Sequence, residues 1–138
     1  MAACEQCTQG YVLQGEPKGM MVGTAYFHPG PGTVPENSRA VVLLTDIFGL
    51  PLVNSKLLAD TFSQKLSCDV WVPDMFGGRP PVTVAELEPL VPDRAGVQMT
   101  FMSKLRFLLL AITHITAFWG IRSSVVDPRI EEVSHRIR

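Results

Sequence analysis

Two aspartates follow apolar runs, at positions where an open sheet binds ligands. Asp46 comes shortly after the run Ala40–Leu44, and Asp74 comes shortly after Cys68–Val72. If both runs are parallel strands, the two carboxylates lie at the carboxyl edge of the sheet, where α/β proteins hold their ligands. Asp46 and the backbone N–H of Ile47 are therefore predicted to face a ligand. An ordinary turn aspartate is an equally simple interpretation of Asp46.

The loop after the second run adds a cation at the same edge. Arg79 follows Asp74 across a turn that contains Gly77 and Gly78. Because a guanidinium group pairs with carboxylate or phosphate in a two-pronged fork, Arg79 is a candidate contact for an anionic group of a substrate. The surrounding prolines favour the alternative, which is a surface loop with a solvated arginine.

No serine or cysteine has the neighbours that a hydrolytic nucleophile needs. The strained strand-to-helix turn of the G-x-S-x-G type requires a small residue two positions away on each side. Cys68, for example, has Leu66 and Val70 at those positions. The remaining serines and cysteines lack the two glycines as well: Cys4, Cys7, Ser38, Ser55, Ser63, Ser67, Ser103, Ser123, Ser124 and Ser134. We therefore predict that the chain contains no nucleophile of this kind.

Sequence signals for cofactors and metals are weak or missing. No G-x-G-x-x-G or Walker sequence is present to hold phosphate groups at a helix start. Cys4 and Cys7 form a single C-x-x-C without the second pair of a zinc site. Cys68 is predicted to be a small buried hydrophobe. The histidines are far apart in sequence, at His28, His114 and His135. We predict no cofactor and no metal ion.

Length and charge exclude several classes of protein. The 138 residues correspond to one domain, with 46% apolar and 18% charged residues. The formal net charge is −1, whereas nucleic acids and anionic membranes bind basic surfaces, so neither is a predicted partner. Three cysteines are too few for a disulfide scaffold. The first ten residues lack the apolar core of a secretory signal. These features predict a cytoplasmic location and a mobile segment over residues 1–10.

The middle of the chain predicts a strand, a helix and a second strand. Ala40–Leu44 is continuously apolar, as expected for a strand that is buried on both faces. A helix capped by Asn54 or Ser55 follows, and Cys68–Val72 is the second strand. The predicted buried stripe of the helix is Leu58, Phe62 and Leu66, and Leu57 and Ala59 widen it. Ahead of this βαβ unit, residues 20–27 are predicted to form one short strand.

The last third of the chain predicts helices. A brief helical turn is expected over residues 84–90, and a long apolar helix over residues 104–118. The apolar run Phe107–Ile112 is far shorter than the ~20 residues of a membrane span, so a buried helix is predicted. A last helix is predicted to begin at Asp127 with Pro128 in its first turn. Its expected buried face comprises Ile130, Val133 and Ile137.

Three segments resemble the dienelactone hydrolase family of α/β-hydrolases, in particular its fungal members. They are GYVLQGEPKG at residues 10–19, TDIFGL at 45–50 and VWVPDMFGGRPP at 70–81. Asp127–Arg129 is similar to the start of the helix that precedes the nucleophile strand in this family. The resemblance implies that residues 1–138 are a single N-terminal portion of such a domain. The implied fold is α/β, with a doubly wound, mostly parallel sheet and flanking helices.

The resemblance also implies roles for individual residues. Asp46 matches the acidic residue that pairs with the resting nucleophile, and Ile47 matches a backbone donor of the oxyanion hole. Arg79 is a candidate substrate contact. The nucleophile, aspartate and histidine of the triad would all lie beyond Arg138, so this chain is expected to be inactive alone. The implied substrates are small esters or lactones, cleaved without a cofactor.

An alternative interpretation is a truncated or alternatively spliced, non-catalytic protein that binds a partner. A G-x-C-x-G sequence encoded in frame after Arg138 would favour the enzyme, and a stop would favour this alternative. In the family's sheet Ala40–Leu44 lies between Cys68–Val72 and the nucleophile strand, and is expected here to be an edge strand. It has no charge and no proline to protect that edge. We therefore expect marginal stability and self-association through it.

Overall fold

The computed structural model describes residues 12–32, 39–91, 97–116 and 122–137. The predicted mobile segment, with Cys4 and Cys7, lies outside these residues. The strands are β1 (Met20–Val22), β2 (Ala25–His28), β3 (Ala40–Val42) and β4 (Asp69–Pro73). The helices are α1 (Asn54–Leu66), α2 (Val84–Leu87), α3 (Phe101–Thr113) and α4 (Ser123–Ile137).

The four described strands form one mixed sheet. Their order is β1-β2-β4-β3, in which β1–β2 and β2–β4 are antiparallel and β3–β4 is parallel. The parallel pair is connected through α1, so the predicted strand–helix–strand unit is confirmed. One of the three described pairings is parallel, and the doubly wound, mostly parallel sheet of the whole domain stays a prediction.

A helix packs on each face of this sheet. The α1 face is built on Tyr26, Leu50, Ala59, Val70 and Val72, with Val41, Leu43 and Phe62 packed against them. The α4 face is built on Ala25, Trp71 and Val133, with Val22, Phe27, Ala40 and Ile137 around them. The predicted burial of Val133 is confirmed. Alternate residues of each strand thus serve opposite cores, as the two-residue period of a strand requires.

The single strand predicted over residues 20–27 is wrong, because the segment is a hairpin. Val22 pairs with Ala25 across a two-residue turn at Gly23 and Thr24. Gly23 has φ +61°, a left-handed conformation that glycine adopts without a steric penalty. The Gly-Thr pair between two β-forming runs is therefore the residue pattern that divides the strand.

The edge position expected for β3 is confirmed within the described residues, since β3 is the last strand in the sheet order. The expectation that Ala40–Leu44 is buried on both faces is wrong. Residues 40–43 are half-buried, and Leu44 is 53% exposed. An edge strand has a neighbour on one side only, and apolar composition does not supply the missing cover.

Helix α1 presents part of the predicted stripe to the sheet, since Ala59 is buried and Phe62 packs against the core. Leu58 and Leu66 of that stripe are 40% and 58% exposed. The other buried residues are polar ones that were not predicted, Ser55, Asp60 and Ser63. The physical reason is that Asp60 and Ser63 have dedicated hydrogen-bond partners on neighbouring segments, which fix the rotation of the helix.

The predicted cap of α1 is also wrong. The N-cap residue is Val53, whose side chain makes no capping hydrogen bond. Asn54 instead accepts a hydrogen bond through Oδ1 from the N–H of Leu13, at 2.7 Å. The Asn54 side chain thus fastens the segment that precedes β1 to the helix. The Asn54 side chain therefore binds a segment distant in sequence and does not cap its own helix.

Helix α3 is not buried, contrary to the expectation for residues 104–118. It begins at Phe101, where the Thr100 hydroxyl accepts a hydrogen bond from the Ser103 N–H at 3.2 Å. None of its residues is buried, and Phe101 is 77% exposed. No described element covers it, and residues 117–118 of the predicted helix lie outside the described residues. None of the helices in the described ranges has the length and hydropathy needed to cross a bilayer.

Helix α4 begins before the predicted Asp127 cap. The N–H of Val126 already donates to the C=O of Arg122 at 3.1 Å, so a helical turn has formed upstream. Pro128 therefore lies inside the helix. The brief helix predicted over residues 84–90 is confirmed as α2.

Candidate functional site

The chain turns sharply at the carboxyl end of β3. Asp46 is exposed, and its Oδ1 accepts a hydrogen bond from the N–H of Phe48 at 2.9 Å. The N–H of Gly49 donates to the C=O of Asp46 at 3.1 Å, which closes a four-residue turn. Aspartate is favoured at the first position of such a turn and glycine at the fourth, and Gly49 has φ +64°. Asp46 is thus a turn aspartate, as one interpretation predicted, and it lies at the edge of the sheet where the other interpretation predicted a site residue.

Ile47 occupies the second position of this turn. Its side chain is 36% exposed. Its N–H makes no hydrogen bond with any other described residue. An unpaired backbone donor at the carboxyl edge of a sheet can bind a negatively charged oxygen, which is the chemistry of an oxyanion hole.

A second turn of the same sequence pattern follows β4. Asp74 accepts a hydrogen bond through Oδ1 from the N–H of Phe76 at 3.1 Å, as Asp46 does from Phe48. Both turns have the sequence D-x-F-G, at residues 46–49 and 74–77, and Gly77 has φ +61°. The repetition is visible in the sequence, although the sequence interpretation missed it.

The two turns contact each other. A Cβ atom built on Gly49 would lie 2.8 Å from Cδ2 of Phe76, so the aromatic ring of the second turn packs directly on the backbone of the first. Gly49 is buried, and no larger residue fits there without displacing that ring. The position of the Asp46–Gly49 turn is therefore fixed by Phe76.

An arginine of α4 braces the second turn. Arg129 donates through Nη1 to the C=O of Met75 at 2.5 Å. Its Nη2 would lie 3.2 Å from a Cβ on Gly77, so the guanidinium covers that turn. Met75 is buried, and the carbonyl gains a charged donor there. Sequence interpretation selected Arg79 in this loop and missed Arg129.

Arg79 lies at the far end of the second turn. Its N–H donates to the C=O of Phe76 at 3.2 Å, and the residue is exposed. The side chain makes no ion pair with any described residue. Arg79 is therefore on the same edge of the sheet as Asp46 and Ile47, and its guanidinium is accessible.

A separate buried polar cluster ties the first strands to α1. Tyr26 donates its hydroxyl proton to Oδ1 of Asp60 at 2.5 Å, and the Tyr26 oxygen accepts from the N–H of Gly19 at 2.6 Å. Oδ2 of Asp60 accepts from the N–H of Lys18 at 2.7 Å. His28 places its Nε2 3.9 Å from Asp60. Because the two Asp60 oxygens are used by groups of the fold, this cluster is structural.

This cluster predicts a pH dependence of stability. Burial, followed by the hydrogen bond to Asp60, raises the pKa of Tyr26 from 10.0 to about 12. The unfolded chain therefore releases this proton first, and the free energy of unfolding falls as the pH rises from about 10 to about 12. Below pH 10 the contribution is fully present. Urea unfolding midpoints at several pH values should show this fall, and it should be smaller in the Tyr26→Phe variant. If stability fell equally steeply with pH in both proteins, Tyr26 would not be the group responsible.

The remaining candidates for chemistry do not come together. Cys68 is a free, buried thiol, as predicted. His114 ends α3 and places Nε2 3.5 Å from Glu86, on the surface. Within the described ranges, no three histidine, cysteine or acidic side chains form a group that could hold a metal ion.

One relative supports a hydrolase. Over 76 residues, the chain is 38% identical to hydrolase pyvD from Aspergillus violaceofuscus. Over that segment, the chain is similar to a hydrolase. The alignment covers 54% of this chain and 31% of that protein, so the chain spans less than a third of its relative. No protein-family model matches the sequence, and no solved structure matches it.

Proposed function

We propose that this chain is the N-terminal portion of a dienelactone-hydrolase-like enzyme that cleaves small esters or lactones. The observation that carries the proposal is the Asp46–Gly49 turn, in which the Ile47 N–H is unpaired among the described residues at the carboxyl edge of β3. Similarity to hydrolase pyvD supports hydrolysis as the reaction class. The family resemblance of the TDIFGL and VWVPDMFGGRPP segments supports the ester or lactone substrate.

Each part of the edge has a role in this proposal. The Ile47 N–H is one donor to the oxyanion that forms when a nucleophile attacks the ester carbonyl. Asp46 uses one carboxylate oxygen to hold the turn, which leaves the other for the nucleophile. Arg79 contacts an anionic group of the substrate. Phe76 and Arg129 act as positioning residues, since they hold the turn without reaching the reacting atoms.

The nucleophile is supplied from outside these 138 residues. No serine or cysteine has the neighbours of a nucleophile elbow. Cys68 is 6% exposed and lies at the amino end of β4, away from the carboxyl edge of the sheet. An oxyanion donor without a nucleophile has no covalent step to stabilise. The short chain is therefore a scaffold that becomes active when it is completed.

The purified chain alone should not hydrolyse an aryl ester above the buffer rate. Release of nitrophenol from a nitrophenyl ester is the measurement, with Cys68→Ala as the control variant. Turnover that disappears in the Cys68→Ala variant would show that Cys68 is a nucleophile. In that case the proposal that the nucleophile lies outside these 138 residues is wrong.

The proposal is tested by completing the chain. A chimera joins this chain, up to the end of the aligned segment, to the part of hydrolase pyvD that follows that segment, and is referred to below as the pyvD chimera. We expect the pyvD chimera to hydrolyse nitrophenyl esters or a small lactone, without an added metal ion. A folded chimera that hydrolyses neither, beside an active pyvD, would contradict the proposal.

A non-catalytic function is the second candidate. It is favoured by the apolar residues that α3 exposes and by the edge of β3 that no described strand covers, both of which suit a partner protein. The two candidates differ in their coding sequence beyond Arg138, where an in-frame G-x-C-x-G indicates the enzyme. A cytoplasmic location is proposed for either.

A further inference from the structure

The outer side of β3 presents backbone groups that the described sheet does not use. The N–H of Leu43 donates to the C=O of Trp71 at 2.8 Å, so Val41 and Leu43 direct their backbone groups toward β4. Since the direction alternates along a strand, the N–H and C=O groups of Ala40 and Val42 in β3 point away from the sheet. No described strand lies on that side.

A buried hydroxyl at the end of this strand lacks a hydrogen-bond partner. Thr45 is 8% exposed, and its Oγ1 is the one buried side-chain polar atom in the described part of the chain without a partner. Such a group destabilises the fold, and in most native proteins it has a hydrogen-bond partner. Leu44, directly before it, is 53% exposed. An apolar side chain in water and an unpaired polar atom thus occur side by side at this edge.

We propose that residues 1–138 alone pair through the outer edge of β3, which the nucleophile strand covers in the proposed enzyme, with β3 of a second copy of this chain, in antiparallel orientation about a two-fold axis at Val42. In an antiparallel pair, a residue whose backbone N–H and C=O groups point away from its own sheet must face another residue of the same kind. The register centred on Val42 satisfies this condition, because it places Val42 opposite its own equivalent and Ala40 opposite Leu44. The self-association is isologous, so both copies use the same surface.

The ends of the strand favour a second copy over an unrelated partner. Arg39 precedes the strand and Asp46 follows it, and both are exposed. The register centred on Val42 places Arg39 of the second copy opposite Thr45 and one residue from Asp46. A guanidinium group carries donors for both the hydroxyl and the carboxylate. This charge complementarity occurs twice in the pair. The net charge of −1 per chain adds little repulsion.

Sedimentation velocity of the full chain tests the pairing. We expect a species of twice the 15.2 kDa chain mass. Leu44→Lys should raise the dimer dissociation constant about a hundredfold, because each copy would place an unpaired charge in the interface. Leu58→Lys is the matched control, since Leu58 is a leucine of similar exposure on α1, and it should leave the dimer intact. A monomeric wild-type chain overturns the proposal.

A disulfide tests the register. In the proposed register two Val42 residues form a directly opposed pair, with Cα atoms about 5.5 Å apart, and this separation suits a disulfide. In a background with Cys4 and Cys7 replaced by serine, Val42→Cys should form a covalent dimer under mild oxidation. Leu58→Cys should not. Equal cross-linking of the Val42→Cys and Leu58→Cys variants overturns the proposal. It is also overturned if Leu108→Lys, on α3, dissociates the dimer while Leu44→Lys does not.

Discussion

Replacing Ile47 by proline is expected to lower kcat for ester hydrolysis by about 10²–10³-fold in the pyvD chimera, which is the usual cost of removing one oxyanion-hole donor. Proline has no N–H, so the substitution deletes the proposed donor itself. The fold should tolerate it, because Ile47 occupies the second position of the Asp46–Gly49 turn, where proline is favoured. The rate of nitrophenol release, measured at saturating ester, gives kcat.

Ile47→Ala separates the backbone from the side chain. This variant keeps the N–H and removes the exposed isoleucine side chain, so kcat should stay within a few-fold of the unsubstituted chimera. A similar loss of kcat in both variants would mean that the side chain, and not the N–H, matters for the reaction. An unchanged kcat in Ile47→Pro would remove Ile47 from the oxyanion hole.

Asp60→Ala is expected to destabilise the chain by about 3 kcal/mol, because it removes the acceptor at the centre of the buried polar cluster. The carboxylate accepts hydrogen bonds from the Tyr26 hydroxyl and the Lys18 N–H, and the residue is 6% exposed. Each charged hydrogen bond contributes about 1.5–3 kcal/mol, and both donors lose their acceptor. The loss is a large part of the roughly 5–15 kcal/mol that holds a domain together.

Asp69→Ala is the control for this substitution. Asp69 also accepts a hydrogen bond from a backbone N–H, that of Gly30 at 2.9 Å, but it is exposed. Water can replace the lost acceptor there, so we expect a change of no more than about 1 kcal/mol. Urea unfolding of both variants gives the comparison. Equal destabilisation by the two would contradict the structural role of the Asp60 cluster.

Features that depend on local sequence could be predicted. The strand–helix–strand unit was predicted from the apolar runs at Ala40–Leu44 and Cys68–Val72, and the turns at Asp46 and Asp74 from the residues that end them. Strand formation and turn formation depend mainly on neighbouring residues, so a single sequence contains the necessary information.

Burial was predicted correctly for single residues such as Val133 and Cys68, but not for whole helix faces. The leucine stripe of α1 and the apolar residues of α3 indicated buried helices, yet Leu58 and Leu66 are exposed and α3 has no buried residue. What a helix face meets depends on elements distant in sequence. For α1, the hydrogen bonds that Asp60 accepts from Tyr26 and from the Lys18 N–H determined its orientation, and nothing near Asp60 in the sequence indicates those partners.

The candidate site was predicted in part. Asp46 and Ile47 lie in the turn where they were expected, and Arg79 lies on the same edge of the sheet. Arg129 was missed because it is 54 positions from Met75, whose carbonyl it binds. The contact between Gly49 and Phe76 joins two turns of the same D-x-F-G sequence, and this repeat is the signal that could have revealed it.

The most direct test of the central claim is to observe the Ile47 N–H while an oxyanion is present. The pyvD chimera is labelled with ¹⁵N-isoleucine, and the Ile47 amide signal is assigned by its loss in Ile47→Ala. A trifluoromethyl ketone then forms a tetrahedral, negatively charged adduct with the nucleophile. We expect the Ile47 amide proton to move to lower field, because it donates to that oxygen. An Ile47 signal that stays in place while the adduct forms would show that Ile47 is not an oxyanion donor.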